Sequence, residues 1–169
     1  KPLSPYAASK QGAEALCYTY HYLYGIDITV LRYFTVYGPA GRPDMSPFRF
    51  VQWVAEGREV TIFGDGRQSR DFTYVDDIAR GTVKALKPLG YEIINLGESQ
   101  TVELDRLIEL LEQAMGVKAE INRQPAQPGD VPITFANIEK AQRLLGYNPQ
   151  VKIEDGIPRF IEWFRQQNA

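Results

Sequence analysis

The fold is decided first by the stretch Ser4-Pro5-Tyr6-Ala7-Ala8-Ser9-Lys10. Ser4 is a favourable N-cap, and Pro5 suits the first helical position because its φ angle is already helical and it has no N–H group to leave unpaired. The stretch therefore predicts a helix that begins at Pro5.

Tyr6 and Lys10 are four residues apart, so this helix places a phenol and an ammonium on one face, one turn from each other. A nearby ammonium favours the phenolate form of a tyrosine. Tyr6 is therefore a candidate general acid and base. The same spacing also fits a surface lysine whose stem packs on a tyrosine ring, and the spacing alone favours that simpler interpretation.

The helix is predicted to run to Tyr24, where Gly25 follows as a C′ residue. Residues 26–34 are rich in β-branched and aromatic side chains and predict a buried strand. A helix followed by such a strand favours an α/β sheet with parallel strands. The loop at residues 35–39 then lies at the carboxyl end of the strand, where open α/β sheets place their ligands.

The predicted first helix is apolar or aromatic on almost every side. A helix without a clearly polar face is usually buried on both sides, so one side is expected to meet a core and the other a partner. A plain core helix is about as consistent with the pattern.

Composition excludes several classes of function. The chain has 169 residues, a net charge of −2, one cysteine (Cys17) and one histidine (His21). No basic run indicates nucleic-acid binding or an anionic membrane surface, and no apolar run is long enough for a membrane span. A disulfide framework, a Cys-rich metal site and a Ser-His triad lack the necessary residues, so no metal is expected.

The rest of the chain predicts a mixture of helices and strands. Residues 59–63 and 71–75 are predicted to form a hairpin-like pair because Gly64, Asp65 and Gly66 separate them. Asp76 and Asn137 are predicted helix caps. The other predicted helices cover residues 45–56, 76–86, 102–115, 137–145 and 153–166, the other strands cover residues 91–96 and 119–122, and a proline-rich loop covers residues 124–132.

Residues 4–10 closely resemble the active-site helix of the extended short-chain dehydrogenase/reductase family, and its nucleotide-sugar epimerases and dehydratases are the most similar branch. In that family the tyrosine is the catalytic base, and the lysine binds the nicotinamide ribose and tunes the tyrosine. The resemblance therefore implies that NAD is the cofactor. It also implies that Tyr6 and Lys10 are both catalytic and cofactor-binding residues. It also favours the first helix as a homodimer interface.

A second resemblance covers residues 32–45. In the family the strand-end Tyr-Phe-x segment borders the nicotinamide and the sugar, so Tyr33 is an implied cofactor contact. Many members have Asn after the Phe, whereas Thr35 followed by Arg42-Pro43-Asp44-Met45 resembles the UDP-glucuronate 4-epimerases. This resemblance implies that Thr35 helps to hold the uronate carboxylate and that Arg42 binds substrate. A structural turn in which Thr35 bonds to the backbone is the alternative.

Residues 70–77 resemble the family's Arg-Asp-aromatic motif, whose arginine contacts the nucleotide diphosphate. Arg70 matches that arginine, and Arg49 matches a second diphosphate contact; a local pair of Arg70 with Asp71 or Asp76 is the alternative. Further implied substrate contacts are the backbone near Thr61 and Phe63, which matches the uracil-recognising edge, and Asp130, which follows Gly129 in a loop that closes over the nucleotide.

The Gly-rich dinucleotide-binding fingerprint is absent from the sequence, and so is the upstream Ser/Thr of the family's catalytic set. The resemblance therefore implies an α/β fold that is the C-terminal part of an extended short-chain dehydrogenase, without its N-terminal dinucleotide-binding half. Residues 1–40 are expected to be the end of the Rossmann-type domain, and residues 41–169 a mixed α/β domain for the nucleotide sugar.

The implied function is that of a cytoplasmic, NAD-dependent epimerase that acts on C4 of UDP-glucuronate through a 4-keto intermediate. Related activities remain open: a UDP-glucuronate decarboxylase, a 4,6-dehydratase or a UDP-glucose 4-epimerase. The isolated chain is also consistent with a non-catalytic UDP-sugar-binding or dimerisation module.

Overall fold

The computed structural model describes residues 1–127 and 130–168. Helices and strands alternate along the chain, as expected of an α/β protein. The elements are α1 (Pro5–Tyr24), β1 (Ile28–Tyr33), β2 (Thr35–Tyr37), α2 (Ser46–Ala55), β3 (Val60–Phe63), β4 (Ser69–Arg70), β5 (Phe72–Tyr74), α3 (Val75–Lys84), β6 (Tyr91–Leu96), β7 (Val102–Glu103), α4 (Leu104–Met115), β8 (Ile121–Gln124), α5 (Glu139–Leu145) and α6 (Ile153–Gln167).

Helix α1 begins and ends where the sequence predicts. The backbone N–H of Ala7 donates to Ser4 Oγ at 3.1 Å, so Ser4 is the N-cap. Gly25 ends the helix with a φ angle of 65°, a left-handed conformation that glycine adopts without steric cost. These two ends fix the position of the first turn, which carries Tyr6.

The chain then enters an extended segment that changes partners along its length. β1 pairs in parallel with β6, and β2 pairs in parallel with β5. The change falls between Phe34 and Thr35, whose backbone N–H groups donate to Leu96 O and Asp71 O, each at 3.1 Å. The parallel pairing confirms the predicted α/β class, and it places the loop after β2 at the carboxyl ends of two strands.

The predicted hairpin between residues 59–63 and 71–75 is wrong. β3 pairs in parallel with β8, β5 pairs with β2, and the short β4 between them pairs antiparallel with β7. The glycine turn itself is present, since Gly64 and Gly66 have φ angles of 88° and 86°. A turn decides only the local reversal of the chain, whereas these strands find their partners in distant parts of it.

Two predicted caps also differ in detail. Asp76 lies in the first turn of α3 and does not cap it, because the chain passes directly from β5 into the helix and Tyr74 occupies the cap position. Asn137 precedes α5 by two residues, and its Oδ1 accepts the backbone N–H of Glu139 at 3.0 Å. Its side chain therefore accepts a helix N–H group, but Asn137 stands one residue before the N-cap position that was predicted for it.

Apolar side chains form two clusters of buried residues. The larger cluster joins α2, α4 and α6 with β3 and β5 around Phe160. The smaller joins α3, α5 and β6 around Ile94 and Leu96, and Leu31 of β1 packs on it. Tyr37, at the end of β2, belongs to the larger cluster. The extended segment of β1 and β2 therefore runs from one cluster to the other.

Only one side of helix α1 packs on the paired strands β1 and β6, and none of the helix residues is buried. Tyr18 meets the Tyr91 ring edge to face at 5.1 Å, the Tyr91 hydroxyl donates to Glu14 O at 2.9 Å, and Glu14 pairs with Arg32 at 2.6 Å. Leu16, on the other hand, is 63% exposed. The alternative of a plain core helix is therefore wrong, whereas the prediction that the other side meets a partner stays a prediction.

Across residues 1–127 and 130–168, no helix combines the length and the apolar character that crossing a bilayer requires. Over those same residues, no three His, Cys, Asp or Glu side chains come together as metal ligands.

Candidate active site

Tyr6 and Lys10 lie side by side in the first two turns of α1. Lys10 Nζ is 5.5 Å from the centroid of the Tyr6 ring, and Tyr6 is 71% exposed. The structure therefore brings the predicted pair together and leaves its phenol open to a ligand.

Tyr6 lines a cavity of about 420 Å³, which we call the tyrosine cavity. The loop after β2 forms most of its wall, and Tyr33 and Arg42, two further predicted site residues, also line it. The Tyr33 hydroxyl is 3.0 Å from Thr82 Oγ1 of α3, which fixes the ring at the end of β1. The lining residues are Tyr6, Tyr33, Phe34, Val36, Tyr37, Gly38, Pro39, Ala40, Gly41, Arg42, Met45 and Val75.

Tyr37 is another phenol of the tyrosine cavity, but it is only 2% exposed. Its hydroxyl has no hydrogen-bond partner among the described residues. Burial, together with the nearby Glu98 carboxylate, raises the pKa of Tyr37 far above its ordinary value. Tyr37 therefore stays a neutral phenol, whereas the other two phenols of the cavity, those of Tyr6 and Tyr33, are exposed.

A second cavity of about 550 Å³, which we call the arginine cavity, lies between α2, β3 and β4. Predicted substrate contacts make up much of its wall: Arg49, Thr61, Phe63, Arg70 and Asp130. The lining residues are Asp44, Ser46, Arg49, Phe50, Trp53, Thr61, Ile62, Phe63, Gln68, Arg70, Leu104, Gln127 and Asp130.

Arg70 pairs with Asp130 in the arginine cavity, with Nη2 and Oδ1 2.5 Å apart. The alternative local pair with Asp71 or Asp76 does not form. The Asp71 carboxylate is wholly buried and accepts hydrogen bonds from backbone N–H groups elsewhere in the chain. Gly129, which the sequence analysis named together with Asp130, lies outside the described residues.

Trp53 is a cavity residue that the sequence analysis did not single out. The guanidinium carbon of Arg49 lies 4.9 Å from the centroid of the Trp53 ring, and both side chains line the arginine cavity. Their spacing of four residues on a predicted helix was the signal available in the sequence, because such residues meet on one helix face.

The two cavities lie on either side of residues 42–46. Arg42 and Met45 line the tyrosine cavity, and Asp44 and Ser46 line the arginine cavity. Arg42 donates to both Asp44 oxygens, at 3.1 and 2.5 Å, and these hydrogen bonds lower the pKa of Asp44 below its ordinary value. Because successive Cα atoms are only about 3.8 Å apart, the two cavities are neighbours.

Lys10 and Thr35 are not among the described residues that line these two cavities. Lys10 lies beside Tyr6. Thr35 lies between two residues of the tyrosine cavity, Phe34 and Val36, and its backbone N–H donates to Asp71 O.

A parallel α/β fold with a Tyr-x-x-x-Lys helix beside a strand-end cavity is the arrangement that the sequence resemblance implies for an extended short-chain dehydrogenase/reductase. The model of the NAD dependent epimerase/dehydratase family matches residues 1–97. The chain belongs to this family.

Similar proteins include several sugar-nucleotide epimerases. A UDP-glucuronate 4-epimerase from Thermodesulfobacterium geofontis is 57% identical over 166 residues, which are 98% of this chain and 51% of that protein. The crystal structure of UDP-glucuronic acid 4-epimerase from Bacillus cereus, in complex with UDP-glucuronic acid and NAD, is 44% identical with a TM-score of 0.94. The match covers 99% of this chain and 54% of that one.

A structure of UDP-glucose 4-epimerase from Thermotoga maritima with UDP-glucose is 34% identical, with a TM-score of 0.95. That match covers 100% of this chain and 56% of the other. The chain thus spans about half the length of the relatives that it matches.

Proposed function

We propose that this chain is the nucleotide-sugar-binding part of an NAD-dependent epimerase that interconverts UDP-glucuronate and UDP-galacturonate at C4. The observation that carries the proposal is the pair of neighbouring cavities: one is lined by the exposed phenol of Tyr6, which lies beside Lys10, and the other is lined by two arginines. A sugar joined to a nucleoside diphosphate has a reacting end and a charged end that complement this pair.

Tyr6 is the proton acceptor in the proposed reaction. Its phenolate takes the proton of the sugar C4 hydroxyl as the C4 hydrogen leaves as hydride, and Lys10 stabilises the phenolate. The resulting 4-keto sugar rotates in the cavity and presents the opposite face of C4. Hydride is then added to that face, and Tyr6 returns the proton to the C4 oxygen. The reaction has no net redox change.

The NAD site can be assigned to this chain only in part. Tyr6 and Lys10 are exposed together, and the exposed Tyr33 lines the same cavity as Tyr6, which fits a nicotinamide riboside. When bound, NAD supplies the acceptor and donor of the hydride. The chain has no Gly-rich loop for the pyrophosphate, so we propose that another part of the protein holds that end.

Arg42 and Thr35 are proposed to hold the uronate carboxylate. Arg42 is the one cationic side chain among the described residues that line the tyrosine cavity, and its planar guanidinium matches a carboxylate. Thr35 is adjacent in sequence to two lining residues of the same cavity.

The arginine cavity is proposed to bind UDP. Arg49 and Arg70 neutralise the diphosphate, β3 near Thr61 and Phe63 meets the uracil, and Asp130 contacts the nucleotide from the facing loop. Such binding energy, remote from the sugar, positions C4 against Tyr6.

The same proposal covers the organisation of the intact protein, meaning this chain preceded by a dinucleotide-binding half. Residues 1–40 complete the Rossmann-type domain, and residues 41–169 form the sugar-nucleotide domain. Two copies associate through α1. We propose a cytoplasmic location, because the chain has one cysteine and forms no internal disulfide.

The reaction is tested by incubating the intact protein and NAD with UDP-glucuronate and identifying products by proton NMR, with a parallel assay for carbon dioxide. We expect UDP-galacturonate and no carbon dioxide. The carbon dioxide assay is needed because a 4-keto uronate is a β-keto acid and decarboxylates readily unless its carboxylate is restrained.

Other products would reject the proposal and favour a named alternative. A UDP-pentose with carbon dioxide indicates a decarboxylase, a 4-keto-6-deoxy sugar from UDP-glucose indicates a 4,6-dehydratase, and preferential turnover of UDP-glucose indicates a neutral-sugar epimerase. Binding of UDP without any turnover indicates a non-catalytic module.

A further inference from the structure

Trp53 of α2 has two arginine side chains near its indole ring. The guanidinium carbon of Arg49 is 4.9 Å from the ring centroid, and that of Arg58 is 6.0 Å away. Phe50 packs beside the indole at 6.1 Å. Trp53 and Arg49 line the arginine cavity, whereas Arg58 is not among its lining residues and pairs with Glu56 at 3.0 Å.

The two arginines of the arginine cavity are held in different ways. Arg70 is held by a carboxylate, that of Asp130. Arg49 forms no salt bridge within residues 1–127 and 130–168, and its recorded contact is the Trp53 ring. The Asp44 carboxylate of the same cavity is near enough for Arg49 to help lower its pKa, but the two form no salt bridge within the described residues. The contact that positions Arg49 is therefore the aromatic face of Trp53.

This difference matters for an incoming phosphate. A guanidinium above a ring uses its flat face, so its in-plane N–H groups stay free to donate to an anion. A guanidinium paired with a carboxylate has already used part of that edge. An arginine ordered before binding also loses less side-chain freedom when the ligand arrives.

We propose that Trp53 is a positioning residue that holds the Arg49 guanidinium at the wall of the arginine cavity, ready for the diphosphate of a nucleoside-diphosphate ligand. The inference rests on the proposed function, which assigns the diphosphate to this cavity. Trp53 acts through Arg49 and need not touch the ligand. Stacking of Trp53 on the base is the competing explanation.

The experiment measures binding of UDP and of uridine to the intact protein by calorimetry. Trp53→Leu should raise the Kd for UDP about three- to fivefold, the size of an exposed cation–π contact, and leave the Kd for uridine unchanged. Trp53→Phe, which keeps an aromatic face, should restore most of the affinity. In an Arg49→Gln background, Trp53→Leu should have little further effect on the Kd for UDP.

The kinetic counterpart is a higher KM for UDP-glucuronate in Trp53→Leu with kcat unchanged, because Trp53 supports binding and not the proton transfer. Trp163→Phe is the matched control, since Trp163 packs on Phe48 and Phe160 and is not among the residues of either cavity. Thermal unfolding of each variant shows whether the fold is intact.

Each contrary outcome has a distinct meaning. An unchanged Kd for UDP in a folded Trp53→Leu variant overturns the positioning role while leaving the proposed function in place. Equal weakening of UDP and uridine overturns it in favour of stacking on the base, and full additivity with Arg49→Gln overturns the route through Arg49. A wild-type protein that binds no UDP rejects the proposed function and this inference together.

Discussion

Glu98, two residues after the end of β6, is a carboxyl group that the fold keeps almost out of water. It is 6% exposed, and its Oε1 pairs with Lys152 Nζ at 2.6 Å. Its Oε2 has no hydrogen-bond partner among the described residues. Burial raises the pKa of Glu98 above its ordinary 4.5, Lys152 opposes this shift, and the nearby Asp77 and Asp71 add to it.

A raised carboxyl pKa makes stability fall as the pH rises. Between pH 4.5 and the raised pKa of Glu98, the folded protein binds more protons than the unfolded chain, so the free energy of unfolding decreases with pH. Glu98→Gln removes this dependence. We therefore expect wild type to lose stability relative to Glu98→Gln as the pH rises above 4.5, measured by urea unfolding at a series of pH values.

Glu162→Gln is the matched control for this comparison, because Glu162 is an exposed carboxyl on α6. The difference in free energy of unfolding between Glu162→Gln and wild type should not change over the same range of pH. A difference for Glu98→Gln that also does not change with pH, or that changes with the opposite sign, would contradict the raised pKa of Glu98.

At the scale of single residues, the sequence predicted the contacts that depend on the local spacing of residues. Tyr6 and Lys10 meet because a helix brings residues four apart together. The burial of Asp71 was not predictable in that way, since its carboxylate accepts N–H groups from Glu98 and Ala136, 27 and 65 residues away. Such partners are set by the packing of distant elements.

At the scale of elements, α1 is the least covered helix. Leu16, Tyr20 and Leu23 are 63%, 54% and 60% exposed, so the helix offers an apolar strip to solvent. Exposed apolar strips of this kind are common at interfaces between proteins. The strip is the physical basis for the proposed homodimer.

If two copies associate through this strip as proposed, a charge introduced into the strip should weaken the dimer. Leu16→Glu in the intact protein should raise the dimer dissociation constant at least about tenfold, because in both copies it places a carboxylate where the proposed interface would bury a leucine. Light scattering during size-exclusion chromatography measures the change in mass.

Leu86→Glu provides the control, since Leu86 is 82% exposed and lies beyond α3. It should leave the mass unchanged. A wild-type monomer, or a dimer that tolerates Leu16→Glu, would contradict an interface formed by α1.

Most elements were predictable, but the short strands β2, β4 and β7 and the pairing of the strands were not; residues 35–37, predicted to be loop, form β2. Helix α1 was predicted to the residue because both of its ends carry strong local signals, Ser4-Pro5 and Gly25. The hairpin was wrong because β3 and β5 each pair with strands far away in sequence. Turn residues indicate where the chain reverses direction, but they do not indicate which strands pair with each other.

At the scale of the whole molecule, the predicted site residues other than Lys10 and Thr35 divide between two cavities. Tyr6, Tyr33 and Arg42 line one, and all five predicted nucleotide contacts line the other. The sequence resemblance supplied the residues. Their separation into two groups depends on residues 42–46, which contribute lining residues to both cavities, and only the three-dimensional arrangement reveals it.

The central claim is that the phenol of Tyr6 moves the proton of the sugar C4 hydroxyl. Its most direct test is the rate at which the intact protein interconverts UDP-glucuronate and UDP-galacturonate before and after Tyr6→Phe, with Tyr22→Phe, another exposed tyrosine of α1, as the matched control. The account predicts that Tyr6→Phe lowers kcat by about 10²-fold or more, since it removes the group that transfers the proton, while Tyr22→Phe keeps the wild-type rate. A Tyr6→Phe enzyme that turns over within about tenfold of wild type would contradict it.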